Sequence, residues 1–527
     1  MAGTATLDHH GDHRRLLWQA DEATPQAKVD AIIVPTVRPV SCLAEAARAA
    51  RFLGCPLVTL HSGDRTSASQ ADAHFGRSPD LIAIDVPEPA QLRLPALETS
   101  RLLAGTIFER RTDVSSKRNL ALLLGHMLRW KRVVFLDDDI RVPDPADLSR
   151  AVSLLDTHTA VGLHIGGFPD NSTVCHAFRD AGGRQATFIG GGALAVNVRR
   201  NRSFFPNVYN EDWFFVLDAG KRLQPVATVG RVLQDPYDPY RPERARAEEL
   251  GDVLAEGTFW LLDQDRSASD GDLAHWREFL TKRKKFIGRV LSMLECQTAM
   301  QPAERARRAE ALNAALGRLA RITPELCVDY LKALADDQER WQRHIQVIRQ
   351  QPRLRRELAL ESLARTGGTP LTWYTRNATS GQRRRTAPRL RPVQARELQS
   401  TIPSPPPTLV PRFTAATKWA LPLLLRLGVA SSHPAHAQET AKIALACQQR
   451  HNDDDGHGNE RPSHQLHPRP PRRRLAFRSS PMLPNDPTGW CHTCQGMAAE
   501  PDRPRLAVSP GHRKAAVKPL RWGRAGL

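Results

Sequence analysis

Between residues 29 and 256 the chain alternates short apolar segments with amphipathic ones. Seven segments of four to seven residues are rich in Val, Ile, Leu and Ala and are predicted strands: 31–34, 57–60, 81–84, 133–136, 160–165, 192–196 and 226–232. Amphipathic helices are predicted between them, for example at 41–52 and 120–130. Apolar strands separated by helices are typical of a parallel sheet that is covered on both faces. The pattern therefore predicts an α/β fold for this part of the chain.

Beyond residue 272 the pattern changes to long helices. Segments 274–294, 302–319 and 324–350 each place Leu, Ile, Val and Trp on one face and Arg, Lys and Glu on the other. Helices packed on a core have this distribution. We predict that residues 273–365 form a helical extension of an α/β domain at residues 29–272. An interaction or oligomerisation surface is the alternative, and the sequence does not fix an oligomeric state.

The net charge of +19 is concentrated in the last part of the chain. Residues 366–527 hold 25 Lys and Arg against 9 Asp and Glu, together with 21 of the 40 prolines, whereas residues 1–365 carry only +3. A segment of this composition buries too little apolar surface to offset its chain entropy, so we predict a disordered tail. Residues 1–28 are polar and rich in His, and we predict that they are flexible.

The cysteines and apolar segments bear on the cellular compartment. The eight cysteines lack the spacing of a disulfide framework, which favours a reducing cytoplasm. Cys491 and Cys494 have the spacing of half a zinc site, but no second pair follows them. The first 26 residues contain no apolar segment of signal-peptide length. The apolar stretch 419–432 is shorter than a transmembrane helix, so we expect at most contact with a membrane surface.

One predicted strand leads directly into three acidic residues, Asp137, Asp138 and Asp139. Ligands of parallel sheets bind beyond the carboxyl ends of the strands, so this acidic run (residues 137–139) is expected to face a crevice. Adjacent like charges are stabilised by a cation, and oxygen ligands favour Mg²⁺ or Mn²⁺. Because side chains alternate along a strand, Asp138 is predicted to point away from its neighbours. A solvated turn with an Asp as helix cap is the alternative.

Further candidate residues lie in order around the acidic run. They are Pro35, Thr36 and Arg38 after the first predicted strand, Asp64 after the second, Lys117, Arg118 and Asn119 at a helix start, Gly191 and Gly192 before a strand, and the pair Glu211 and Asp212. A basic helix start is suited to bind a diphosphate, although it can also be an ordinary helix start. The glycines allow close approach of a ligand or form a tight turn. A carboxylate of the acidic pair can act as a general base or balance a helix dipole.

In this order the features resemble those of GT-A glycosyltransferases, and most closely the family 2 type. The resemblance covers roughly residues 29–256, somewhat under half of the chain. It implies a GT-A fold, the Rossmann-like sheet of nucleotide-diphospho-sugar transferases. It also implies an enzyme that transfers one hexose from a nucleotide-diphosphate sugar to a hydroxyl acceptor. The processive motif of the family, a Gln and an Arg-Trp pair, is not evident, which argues against a polysaccharide synthase.

The resemblance also implies a role for each candidate residue. Asp137 and Asp139 correspond to the DxD motif, which binds the nucleotide and a Mg²⁺ or Mn²⁺ ion. Asp212 is preferred over Glu211 as the general base, and Asp235 lies where many family members supply a His as a further metal ligand. The other residues expected around the donor are Pro35, Thr36, Arg38, Asp64, Lys117, Arg118, Asn119, Gly191 and Gly192. The donor sugar, its base, the acceptor and the anomeric outcome are not fixed by these motifs.

Two other functions are alternatives. A nucleotidyltransferase of sugar-nucleotide synthesis also combines an α/β sheet with metal-binding Asp residues, but it has a basic, Gly-rich loop after the first strand, and residues 35–39 contain no glycine. The basic tail suggests phosphate contacts to nucleic acid. Few aromatic residues accompany its Arg-rich runs, so stacking of bases is poorly supported and a nucleic-acid partner is not expected.

Overall fold

The computed structural model describes residues 9–365 except 12, 22, 77, 88–91, 93, 169–170 and 219–221, and in addition residues 371–376 and 384–385. The chain divides into two units, Met1–His433 and Pro434–Leu527, and every described residue belongs to the first. The half zinc site at Cys491 and Cys494, the apolar stretch 419–432 and most of the predicted disordered tail therefore lie outside the described residues.

The described strands and helices follow one another along the chain. The strands are β1 (Trp18–Gln19), β2 (Ala31–Thr36), β3 (Leu57–His61), β4 (Leu81–Asp85), β5 (Arg132–Leu136), β6 (Ile140–Arg141), β7 (Ala160–Gly167), β8 (Ala193–Asn197), β9 (Leu217–Asp218), β10 (Arg222–Leu223), β11 (Val226–Gln234), β12 (Thr372–Arg376) and β13 (Arg384–Arg385). The helices are α1 (Ala44–Leu53), α2 (Ala68–Phe75), α3 (Glu98–Leu103), α4 (Val114–Leu128), α5 (Ala146–Ser153), α6 (Thr173–Asp180), α7 (Glu211–Phe215), α8 (Pro242–Asp263), α9 (Leu273–Glu295), α10 (Pro302–Leu319), α11 (Pro324–Gln350) and α12 (Arg356–Arg365).

The predicted α/β architecture is confirmed. Each of the seven predicted strands is present, as β2, β3, β4, β5, β7, β8 and β11, with ends within two residues of the prediction. The long helices α9, α10 and α11 also occupy the predicted segments. None of the described helices is long and apolar enough to cross a membrane.

The large sheet has the strand order β1-β11-β7-β8-β5-β2-β3-β4-β12-β13, and β6 pairs with β11. Strands β5, β2, β3 and β4 are mutually parallel, whereas β8 is antiparallel to both β5 and β7. The chain moves outward from β2 to β4 and then returns to place β5 on the opposite side of β2. Loops after β2 and β5 therefore run in different directions, and such a reversal opens a crevice at the carboxyl ends of the strands.

The two faces of the sheet contribute to two separate hydrophobic cores. Ile33 and Phe135 face the larger core, which also contains Trp276 of α9 and Trp341 of α11. Residues adjacent in sequence, such as Val134, face the smaller core beneath α1, α2 and α5, because successive strand side chains point to opposite faces. The long helices thus share a core with the sheet.

Two segments that were predicted to lack structure form part of this fold. Strand β12, placed in the tail by its composition, pairs with β4, and its buried Arg376 lies 2.5 Å from the carboxylate of Asp72. Within the N-terminal segment, β1 pairs with β11 and Leu17 is buried. The prediction of disorder for residues 366–527 is therefore wrong for β12, and the prediction of flexibility for residues 1–28 is wrong for β1 and Leu17. In the tail, composition averaged over a long segment conceals a strand of five residues.

Candidate active site

A large cleft lies where the strand order reverses between β2 and β5. It has a volume of about 1140 Å³, and its lining includes the acidic run 137–139 after β5, Pro35 and Thr36 at the end of β2, and Arg38 just after β2. The cleft is therefore at the edge of the sheet where ligands of parallel α/β folds bind. These residues lie at or just beyond the carboxyl ends of two strands that the apolar pattern of the sequence identifies.

The three carboxylates of the acidic run are paired with arginines. Asp137 accepts a hydrogen bond of 2.8 Å from Arg118, and Asp139 accepts one of 3.0 Å from Arg38. Asp138 accepts a hydrogen bond of 2.5 Å from the Thr36 hydroxyl and lies 3.3 Å from Arg38 Nε. Asp138 lines the cleft, so the prediction that its side chain points away is wrong. The tight turn after β5 breaks the strand alternation on which that prediction rested.

Arginine pairing compensates the acidic run only in part. Burial is the largest cause that raises the pKa of Asp138 and of Asp139, and the charge of Asp137 adds to it. Arg38 opposes this rise without cancelling it. The ionised carboxylates would therefore be stabilised by an additional positive charge in the cleft.

The residues present fit a Mg²⁺ or Mn²⁺ ion that is shared with a substrate. Groups of three or more His, Cys, Asp or Glu in a metal-binding arrangement are absent from the described part of the chain. An ion bound partly by substrate phosphates needs only one or two carboxylates from the protein. Asp137 and Asp139 would be the residues to hold it.

The end of β11 supplies a neighbour of Asp139 that the sequence did not indicate. Gln234 hydrogen-bonds the Asp139 side chain, and its own amide oxygen is buried without a hydrogen-bond partner among the described residues. Asp235, the predicted metal ligand, is exposed and lies 2.8 Å from Arg141. Only its backbone N–H contacts the acidic run, by donating to the Asp139 carbonyl at 2.9 Å. The assignment of Asp235 is therefore wrong, since one step along the strand turns the side chain outward.

The start of α4 forms one wall of the large cleft. Val114, Ser115 and Ser116 line it, and Asp113 does not cap the helix with its side chain. Lys117 is only 1% exposed, and its ammonium donates to the Thr36 carbonyl at 2.9 Å and the Ser62 hydroxyl at 2.6 Å. Lys117 therefore links the ends of β2 and β3, and its ammonium group is not a free cation in the cleft.

Asn119 is among the residues that line the large cleft, whereas Asp64 is not. Asn119 exchanges two hydrogen bonds of 2.8 Å with the backbone of Phe205, so its side chain is committed to packing α4 against that segment. Asp64 is exposed, and the cleft is bordered instead by Ser62 and Gly63. Asp64 follows Gly63, the last residue of this loop that lines the cleft.

A further wall of the large cleft was not predicted from the sequence. It is formed by residues between β4 and α4, which comprise two cations, Arg101 and Arg111, and the apolar residues Val86, Pro87, Leu92, Leu94, Pro95, Ala96 and Leu97. Its only signal in the sequence was a run of Leu and Pro residues, which has no motif. A wall that combines apolar side chains with cations suits a ligand that has both a flat ring and negative charge.

Arg118 connects the large cleft to a smaller cavity of about 200 Å³. The residue is 2% exposed, and its guanidinium bonds Asp137 on one side and Glu211, at 2.9 Å, on the other. Glu211 also lies 2.9 Å from Arg110. Burial alone would raise the pKa of Glu211, but Arg110 and Arg118 outweigh it and lower the pKa. Glu211 therefore stays ionised between the two arginines and is poorly suited to take up a proton.

Asp212 lies in the small cavity beside the glycine turn. It accepts hydrogen bonds from the N–H groups of Gly191, at 2.5 Å, and Trp213, at 3.0 Å. A Cβ atom at position 191 would lie 2.6 Å from the Arg118 guanidinium. The carbonyl of Gly192 accepts a hydrogen bond of 2.9 Å from the Asp137 backbone. Gly191 thus leaves room for Arg118, and the two glycines hold Asp212 and Asp137 in place through backbone hydrogen bonds. These contacts explain the glycines more specifically than close approach of a ligand does.

His13 fastens the N-terminal segment beside the small cavity, which Gly11 helps to line. Its Nδ1 lies 2.5 Å from Asp263, and its Nε2 lies 3.7 Å from Glu256. Burial alone would lower the pKa of His13, but the interactions with Asp263 and Glu256 raise it to about 9. The imidazolium therefore holds the segment on α8 at neutral pH.

The His13 contact predicts a loss of stability at alkaline pH. Because the pKa of His13 is higher in the folded protein, its contribution is complete below about pH 6.5 and is lost as the pH rises through about 9. The loss is roughly 3 kcal/mol in the free energy of unfolding. Urea unfolding at pH 6 and pH 9.5 should show this difference for the native chain and a smaller one for His13→Gln. Equal pH dependence of the two proteins would contradict the assignment.

Comparison with known proteins does not identify the chain. No protein-family model and no curated protein matches the sequence. The function of the cleft is therefore inferred from its geometry and chemistry.

Proposed function

We propose that the protein is a metal-dependent glycosyltransferase that moves one sugar from a nucleotide-diphosphate sugar to a hydroxyl acceptor. The observation that carries the proposal is that the acidic run 137–139 and the start of α4, which no side chain caps, line one cleft at the strand reversal. A carboxylate cluster that favours a cation and a helix N-terminus that favours an anion together suit a metal-bound diphosphate.

The large cleft is suited to the donor. Its volume of about 1140 Å³ slightly exceeds the usual range for small-molecule sites, so the cleft has room for a nucleoside diphosphate with a sugar. The first-turn N–H groups of α4 and the cations Arg38, Arg101 and Arg111 would bind the phosphates. The apolar wall between Val86 and Leu97 would exclude water from one face of the base.

Charge stabilisation of the leaving group would come from several residues. Arg38 lies at the acidic run and lines the cleft, where it can stabilise charge on a departing nucleoside diphosphate. A Mg²⁺ or Mn²⁺ ion, when bound by Asp137 and Asp139, would supply Lewis-acid stabilisation of the same charge. Gln234 would orient Asp139 through the hydrogen bond between their side chains.

The small cavity is suited to the acceptor. It adjoins the large cleft, and Asp137 and Arg118 line part of it. A hydroxyl nucleophile must lose its proton as it attacks the anomeric carbon, which requires a base within hydrogen-bond reach. Asp212 is favoured for this role over Glu211, since Arg110 and Arg118 lower the pKa of Glu211 despite its burial.

A binding panel on the full chain tests the proposal. Thermal unfolding is measured with UDP- and GDP-sugars in the presence of Mn²⁺, and again with EDTA. A donor at about 100 times its Kd should stabilise the folded state by about 2.7 kcal/mol and raise Tm by a few degrees, and EDTA should abolish the shift. Free hexose and inorganic phosphate serve as controls. No shift with any donor would refute the proposal, and a shift with nucleoside triphosphates alone would favour a nucleotidyltransferase.

A further inference from the structure

Three arginines meet at the edge of the sheet opposite the acidic run. Arg129 ends α4, Arg199 follows β8, and Arg349 lies in the last turn of α11. Strand β5 begins beside them at Arg132 and ends at the acidic run, so the two regions are about 17 Å apart along the strand. The arginines therefore belong to neither cavity of the candidate active site.

The three guanidinium groups are held in a closed ring of hydrogen bonds to backbone carbonyls. Arg129 donates to the carbonyl of Arg349 at 2.7 Å, and Arg199 donates to that of Arg129 at 2.8 Å. Arg349 completes the ring by donating to the carbonyl of Arg199. Nη2 of Arg129 also donates to the Gln351 carbonyl, and Nη2 of Arg349 also donates to that of Val198. The Nε and Nη1 groups take no part in these bonds, so they can donate to a ligand while the side chains are held in place.

The positive charge of this arginine ring is not neutralised by neighbouring acids. Among the residues that the structure describes, no carboxylate lies within ion-pair distance of Arg129, Arg199 or Arg349. Burial lowers the pKa of Arg349, and the charges of Arg202, Arg129 and Arg199 lower it further. Guanidinium groups held this close together without a counter-ion repel each other, and a bound anion would relieve that repulsion.

The ring borders a cavity of about 290 Å³ that is also lined by His126 and Trp130. His126 is 4% exposed. Burial is the largest cause that lowers the pKa of His126, to about 3, and Arg349 and Arg129 contribute. The neutral ring can donate one hydrogen bond. The His126 ring and the arginines therefore present hydrogen-bond donors to the same cavity.

We propose that this cavity binds a small phosphoryl anion, such as a phosphate monoester or a diphosphate. Guanidinium groups match phosphate oxygens in geometry and form strong charge-assisted hydrogen bonds with them. The cavity volume lies near the lower limit for small-molecule sites, which excludes a large ligand. Trp130 would contact the non-phosphate part of a monoester. This site is independent of the proposed glycosyl transfer.

Titration calorimetry with sodium pyrophosphate tests the proposal on the full chain in EDTA. Arg199→Gln removes one exposed member of the ring and is compatible with folding, since its side chain is not part of a core. The affinity for pyrophosphate should fall by roughly tenfold or more, the effect expected for one charge-assisted hydrogen bond. The matched control is Arg200→Gln, which removes the adjacent exposed arginine outside the cavity and should change the affinity by less than about twofold.

Two more measurements distinguish an anion site from a cluster of arginines that only joins secondary-structure elements. Histidine side-chain NMR should show a pyrophosphate-dependent shift of the His126 resonance, assigned from the spectrum of His126→Gln. If the arginine ring only fastens α4, β8 and α11 together, Arg199→Gln will lower Tm but leave pyrophosphate affinity unchanged, and the proposal is then overturned. Absence of binding by the native chain, or equal weakening by Arg200→Gln, would overturn it as well.

Discussion

Replacing Asp139 by Asn is expected to lower metal-dependent turnover of a nucleotide sugar by about 100-fold or more. The substitution keeps the size of the side chain but removes one of the two charges proposed to hold the cation, and stabilisation of a leaving group typically contributes this much to the rate. Release of the nucleoside diphosphate is measured with Mn²⁺ at saturating donor. Far-ultraviolet circular dichroism and Tm show whether the variant is folded.

The matched control for Asp139→Asn is Asp235→Asn. Asp235 bonds the backbone of Asp139, but its own carboxylate is exposed and paired with Arg141. Exposed ion pairs contribute little, so turnover should remain within about twofold of the native value. Unchanged turnover in Asp139→Asn, or an equal loss in Asp235→Asn, would be incompatible with the proposed cation site.

Replacing Arg283 by Met is expected to lower the free energy of unfolding by about 3–5 kcal/mol. Arg283 of α9 is fully buried and donates two hydrogen bonds to Glu249, at 3.0 and 3.1 Å, and one to Asp252, at 2.8 Å. Methionine fills part of the same space but leaves two buried carboxylates without their cation. Urea unfolding at pH 7.5 measures the difference.

The effect of Arg283→Met should depend on pH. Burial raises the pKa of Glu249 to about 7 even with Arg283 present, and loss of the arginine raises the pKa further. The folded variant therefore binds more protons than the unfolded chain above about pH 4.5, so its stability falls as the pH rises through about 7. The loss relative to the native protein should be smaller at pH 5 than at pH 7.5.

Arg246→Met provides the control for Arg283→Met. Arg246 lies on the solvent side of α8 and pairs with the exposed Glu243. Its replacement should change the free energy of unfolding by less than about 0.5 kcal/mol. An Arg283→Met protein that is as stable as this control at pH 7.5 would show that the buried network does not stabilise the fold.

The buried network around Arg283 also supports the candidate active site. Asp252 accepts a hydrogen bond of 3.0 Å from Asn210, the left-handed residue immediately before Glu211. A side chain at Gly251 would collide with the carbonyl of Tyr209, so α8 packs directly against this loop. Helices α8 and α9 thereby position Glu211 and Asp212, and partial unfolding of Arg283→Met is expected to affect the small cavity first.

Much of the sheet could be predicted because its signals are local. Strands such as 133–136 are apolar on both faces, and a buried parallel strand requires that composition wherever it lies in the sheet. The acidic run could be placed at a crevice for the same reason, since it follows such a strand directly. Strand β12 escaped prediction because five residues are few against a basic, Pro-rich background.

The sequence by itself determined the α/β class, the main strands and helices, and the edge of the sheet at which the acidic run lies. Tertiary structure alone decided which polar and charged groups meet: Arg118 with Asp137 and Glu211, Gln234 with Asp139, and Arg129 with Arg199 and Arg349. These partners are distant in sequence, and their contacts depend on the strand order and helix packing. Local patterns fix where a side chain points relative to its own strand, whereas the partner across a cleft is fixed only when the whole core has packed.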